Sequence, residues 1–154
     1  RSYDLPYVYE RKVRMWEVPR DTFDFTMDTN FKGVANCLRH AMPKLMQVGA
    51  AGNKATFITL TSSRGRCIDE TSVAFSASEW ALEGMMQSVA RSLPRPVVAM
   101  TLSSGITPRE LPNENLEEWA DRAGMLILNL TYMENGVVFN VGPPLAKRPR
   151  LDDA

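Results

Sequence analysis

Histidine occurs once in this 154-residue chain, at His40, and cysteine only twice, at Cys37 and Cys67. One imidazole and two distant thiols lack the spacing of a metal site, and they build no disulfide framework. Both thiols are expected to stay reduced, and no metal is implied. Neither sign of charge is in excess, with 18 basic and 18 acidic side chains. That balance removes the electrostatic footprint of a nucleic-acid binder. No apolar run approaches the roughly 20 residues that span a bilayer. The opening Arg1-Ser2-Tyr3-Asp4 has no apolar stretch of the kind a secretory leader carries. The expectation is a cytoplasmic protein with neither a membrane nor a nucleic-acid partner.

What is present reads as one globular domain. Apolar residues make up 44% of the chain, enough for a buried core at this length. Residues 1–20 show no clean period and read as an N-terminal arm. Asp21-Thr22 offers a cap for a helix whose apolar residues Phe23, Met27, Phe31, Val34, Leu38 and Met42 recur at helical spacing. Pro43 is expected to kink or break that helix near its end. Ala55 to Leu60 and Val97 to Leu102 are short, β-branched apolar runs, the pattern of buried parallel strands. Between them a helix is expected over about Ser72 to Ser92, stopped by Pro94 and Pro96. A third helix, Asn113 to Leu130, and a third strand, Val137 to Val141, follow. Strands alternating with helices define an α/β domain with a parallel sheet.

Several stretches narrow this further. Trp16-Glu17-Val18-Pro19, Met27-Asp28-Thr29-Asn30 with Lys32-Gly33, Thr61-Ser62-Ser63-Arg64-Gly65 and Phe75-Ser76-Ala77-Ser78-Glu79-Trp80-Ala81-Leu82-Glu83-Gly84 occur in order. With Glu134-Asn135-Gly136 near the end, they resemble the C-terminal part of the short-chain dehydrogenases/reductases, plant and cyanobacterial members above all. The resemblance covers about residues 16–141. It implies an incomplete Rossmann-like, doubly wound parallel sheet of about three strands and three helices. The domain is bounded at 21–142, and a charged tail occupies 143–154.

The resemblance also implies a site. In that family a serine polarises the substrate carbonyl, and a tyrosine gives or takes the proton. A lysine one turn later lowers the tyrosine's pKa and holds the nicotinamide ribose, while an asparagine completes the relay. Asn30 and Ser62 match, with Ser62 thirteen residues before the tyrosine position. Phe75 stands in place of the tyrosine and Glu79 in place of the lysine. Phe75 has no phenolic proton, and loss of such a group typically forfeits about 10²–10⁴ in rate. Glu79 reverses a charge. The family's glycine-rich loop, which sets backbone amides around a pyrophosphate, is not among the nine glycines of this sequence. Gly105 falls in the family's Pro-Gly turn, but Ser104 replaces the proline and Arg109 the phosphate-contacting threonine, with Thr107 two residues early. Only a weak cofactor contact is expected there. His40 reads as a solvated helix residue. The Glu79/Glu83 pair reads as a solvated face, and Cys67, beside Arg64 and Arg66, as an ordinary thiol.

Three functional readings follow from the resemblance. The first is a catalytically inactive module acting through protein association, with no cofactor. The second is an oxidoreductase dependent on NADP or NAD with an altered active site. The third is a fragment of such an enzyme with no independent function. Homodimer or heteromer formation is expected through the helices near 23–47 and 72–92, with Met27, Met42, Met46, Met85 and Met86 as adaptable packing surface. The first strand is expected to expose an unpaired edge, to be covered by another chain or by the N-terminal arm. Lys147, Arg148 and Arg150 resemble a short nuclear localisation signal.

Overall fold

The computed structural model describes residues 14–62, 73–103 and 116–141. A short 3-10 turn, Met15–Glu17, leads into helix α1 (Arg20–Met27). A π turn, Asp28–Lys32, joins α1 to α2 (Gly33–Ala50). Strand β1 (Ala55–Thr61), helix α3 (Val73–Ala90), strand β2 (Val97–Ser103), helix α4 (Leu116–Asn129) and strand β3 (Val138–Asn140) complete the order. The sheet order is β1-β2-β3 and both pairings are parallel, with Ala55 opposite Val97 and Thr101 opposite Val138. The α/β class and the three-stranded parallel sheet match the expectation from sequence.

Two apolar layers sandwich the sheet. On one face Ala55, Val97 and Ala99 meet Met86, Ala90 and Leu93, with Met42, Leu45, Met46 and Phe57 against them. On the other, Met100 and Leu102 meet Ala123, Leu130 and Val141, with Ile58, Trp119 and Leu126 alongside. Every residue of β2 is buried. Each large side chain sealed in this way contributes roughly 1.5–3 kcal/mol relative to exposure. Strand β1 differs, because α4 covers β2 and β3 but leaves Leu60 64% exposed. Met42, Met46 and Met86 therefore serve the chain's own core, while Phe25 and Trp80 remain exposed.

Three local expectations are corrected. Neither Asp21 nor Thr22 caps α1; the helix begins at Arg20 after Pro19, with no side-chain cap hydrogen bond. Proline at that point sets the backbone for helix entry without needing a hydroxyl cap. Pro43 neither ends nor breaks α2, which continues to Ala50. Pro43 is exposed, and packing of Met42 before it and Leu45 and Met46 after it holds the helix on the sheet's core. The helix from Phe23 is also not uniform, since the π turn interrupts it at Asn30.

The loop before β3 is fastened by one side chain. Asn135 accepts the Ala99 N–H through Oδ1 at 2.9 Å and donates Nδ2 to the Ala90 carbonyl at 2.7 Å. Gly136, at φ +80°, then donates its N–H to the Ala99 carbonyl at 2.8 Å. A Cβ there would lie 3.1 Å from Ala90 Cβ, so the turn requires glycine on two grounds.

Candidate functional site

The residues singled out from sequence converge at the C-terminal ends of β1 and β2, where Thr61 pairs with Ser103. In open α/β sheets this is the edge where ligands bind. Ser62 follows β1 directly. Phe75, Ser78 and Glu79 lie on the first turns of α3, which packs against the π turn carrying Asn30.

Asn30 donates Nδ2 to the Ser78 hydroxyl at 3.1 Å, and Ser78 donates onward to the Phe75 carbonyl at 2.7 Å. Ser78 is fully buried. A π turn widens the helix by one residue and often marks a functional position; here it aims the Asn30 amide at α3. Ser62 and Phe75 are half-buried.

Glu79 does not lie on a solvated face. It is 7% exposed and Glu83 is 2% exposed, which corrects the expectation for the pair. The reason is long-range: Glu79 Oε2 accepts the Ser62 N–H at 2.9 Å and the Thr61 hydroxyl. Both donors sit at the strand end, and neither is visible to helical periodicity. The carboxylate thus bolts the end of β1 to α3.

Sequence reasoning missed Thr61 and Ser78. Thr61 was findable by alternation, since Ala55, Phe57, Thr59 and Thr61 share one face of β1. Ser78, three residues after Phe75 on a helix, was findable by spacing. His40 is exposed on α2, ten residues past Asn30 or about 15 Å along a helix axis. Gly105, Thr107, Arg109, Arg64, Arg66, Cys67 and the tail residues Lys147, Arg148 and Arg150 lie outside the described residues. Among the described residues no group of three or more His, Cys, Asp or Glu side chains could hold a metal, and no helix is long and apolar enough to cross a membrane. A cavity of about 310 Å³ lies between α4 and β3, lined by Met125, Leu126, Asn129, Leu130, Glu134 and Phe139. None of the site residues reaches it.

Comparison with known proteins agrees with this architecture. Residues 9–118 match the short chain dehydrogenase family model. The chain is 32% identical over 136 residues to an NADPH-dependent pterin aldehyde reductase of Arabidopsis thaliana, covering 82% of this chain and 54% of that protein. It superposes on a 3-ketoacyl-(acyl-carrier-protein) reductase of Brucella melitensis in complex with NADH, with a TM-score of 0.71 and 19% identity, covering 83% of this chain and 59% of that one. An oxidoreductase of Escherichia coli gives a TM-score of 0.64 at 20% identity, over 85% of this chain and 57% of that one. The chain belongs to the short-chain dehydrogenase family. It spans about half the length of the curated relative it matches.

Proposed function

We propose that this chain is an NAD(P)-dependent oxidoreductase of the short-chain family with an altered active site, in which Ser62 and Asn30 keep their places and the tyrosine–lysine proton relay is gone. The relative named an NADPH-dependent pterin aldehyde reductase supports the class and favours NADPH with a carbonyl substrate. The alteration is read from the sequence, which puts Glu79 where the resemblance expects the lysine; its inward turn onto Thr61 and the Ser62 N–H supports that reading.

In this reading Ser62 presents its hydroxyl to a carbonyl oxygen at the strand end, and Asn30 braces α3 through Ser78. Phe75 supplies an apolar wall and no proton. Phe75 and Glu79 do not fit a nicotinamide ribose in the family's manner, because a buried carboxylate replaces the cation that would hold it. Carbonyl reduction without the relay is about 10²–10⁴ slower than with it.

The same inward carboxylate favours a second reading, a catalytically silent module that acts through protein association. A thermal melt of the full chain with and without NADPH separates the two. Ligand at about 100 times its dissociation constant stabilises by roughly 2.7 kcal/mol. A clear upward shift with slow NADPH consumption on aromatic aldehydes is expected for the oxidoreductase. A cooperative melt that NADPH leaves unmoved defeats it and leaves the silent module.

A further inference from the structure

Asparagine is followed by glycine once in this sequence, at Asn135-Gly136. That pair is the one most open to spontaneous ring closure, because glycine has no side chain to hinder attack by its own nitrogen. Here the same two residues fasten the loop before β3 to its neighbours. Asn135 Oδ1 accepts the Ala99 N–H of β2, and Nδ2 donates to the carbonyl of Ala90, the last residue of α3. The Gly136 N–H is given to the Ala99 carbonyl at 2.8 Å. Asn135 is half-buried, so the loop is open to water.

The reacting groups are therefore the fastening groups. Closure requires the Gly136 nitrogen to give up its proton and approach Asn135 Cγ. In the fold that proton lies on the Ala99 carbonyl, and Cγ is held by its bonds of 2.9 and 2.7 Å to β2 and α3. All three bonds have to open before the nitrogen can attack. At the ordinary net worth of such bonds, that slows closure by at least about tenfold.

We propose that Asn135-Gly136 is a deamidation site gated by the fold, closed in the native chain and released by unfolding, whose product cannot rebuild the fastening. The Gly136 nitrogen forms a bond to Asn135 Cγ, the Cγ–Nδ2 bond breaks, and ammonia leaves with the proton from the glycine nitrogen. Water then opens the succinimide at either carbonyl, leaving aspartate at position 135 or its isoaspartyl isomer. No redox partner is needed. Either product fails the geometry. Aspartate lacks the Nδ2 donor and turns a carboxylate oxygen toward the Ala90 carbonyl, acceptor against acceptor. Isoaspartate adds a carbon to the main chain in a turn that Ala90 already crowds at Gly136. Unfolding thus becomes a one-way event at this loop, the chemical route to irreversibility. The inference stands whether or not the chain turns over a substrate.

The test is incubation of the whole 154-residue chain in mildly alkaline buffer across a guanidinium chloride series, with conversion at Asn135 followed by peptide mass mapping. Conversion should be at least about tenfold slower in the native chain than in the unfolded one, and should rise along the series with unfolding itself. Chain converted while unfolded and returned to native buffer should melt about 2–12 °C below unconverted chain carried through the same cycle. Asn135→Asp, which isolates the aspartyl product, should move in the same direction. A converted chain that does not refold at all is the extreme of the same result. Equal conversion rates in the native and unfolded chains overturn the gating. A converted chain that melts with the unconverted one overturns the rest, as does an Asn135→Asp chain of wild-type stability.

Discussion

Replacing Glu79 by alanine should cost about 2–5 kcal/mol of folding stability. The carboxylate is 7% exposed and holds two donors, the Thr61 hydroxyl and the Ser62 N–H. Thr61 is itself only 4% exposed, so water does not readily replace the lost acceptor. Each stranded buried donor costs roughly 1–3 kcal/mol. Two give about 2–6 kcal/mol, and the half-buried setting of Ser62 keeps the expected cost to the range above. For a domain of this size 1 kcal/mol moves the melting midpoint by about 2–4 °C, so a drop of roughly 4–20 °C is expected. Glu79→Gln keeps one acceptor oxygen, and since both donors meet the same Oε2 it should lose clearly less than Glu79→Ala. The assay is urea unfolding followed by tryptophan fluorescence, with an unchanged slope reporting an intact fold. Should Glu79→Ala fall within about 0.5 kcal/mol of wild type, the value ordinary for surface positions, the carboxylate is not bolting the strand to the helix.

Three further outcomes follow from the geometry. Gly49→Ala would set a Cβ 2.4 Å from Val97 Cγ2, against a fully buried strand residue; overpacking of this kind should cost about 1–3 kcal/mol in chemical denaturation. Asn135→Ala should destabilise by about 2–4 kcal/mol, because the Ala99 N–H and the Ala90 carbonyl both lose a partner, and a change within error would remove the loop's assigned fastening. The Thr131 hydroxyl and N–H hold the Glu134 carboxyl below its ordinary value of 4.5. A depressed carboxyl contributes stability that is complete above its unfolded value and is lost as pH falls through the folded one. The pH dependence below about 4.5 should therefore flatten in Glu134→Gln, as read by acid unfolding monitored by circular dichroism; an unchanged slope would assign the acid sensitivity elsewhere.

The parts of the fold that were legible are those whose signal is local. Val97 to Leu102 carries apolar residues on both faces, Thr101 being its one polar member, a pattern that a covered central strand sustains, and the structure buries all of it. The alternation of strands and helices fixed the parallel order for the same reason: each connection had to cross the sheet. What escaped depended on residues far apart in sequence. Glu79 and Glu83 have the four-residue spacing of a solvated face, and nothing nearby reveals that Thr61 and Ser62, 18 and 17 residues away, pull the first of them inward. The π turn at Asp28–Lys32 carries no periodicity of its own, and its Asn30 meets Ser78, 48 residues on. Pro43 was misjudged because local geometry was weighed without the apolar residues that dock α2 on either side of it.

The central claim is that the chain keeps the family's fold and serine but has lost its proton relay. The most direct test is steady-state consumption of NADPH, followed at 340 nm on aromatic aldehydes, by the wild-type chain and by the double variant Phe75→Tyr, Glu79→Lys. The account predicts a wild-type rate well below the ordinary enzyme range of about 1–10³ s⁻¹, rising by about 10²-fold or more when phenol and lysine are restored together in a variant that still folds. A wild-type rate inside that range would contradict it.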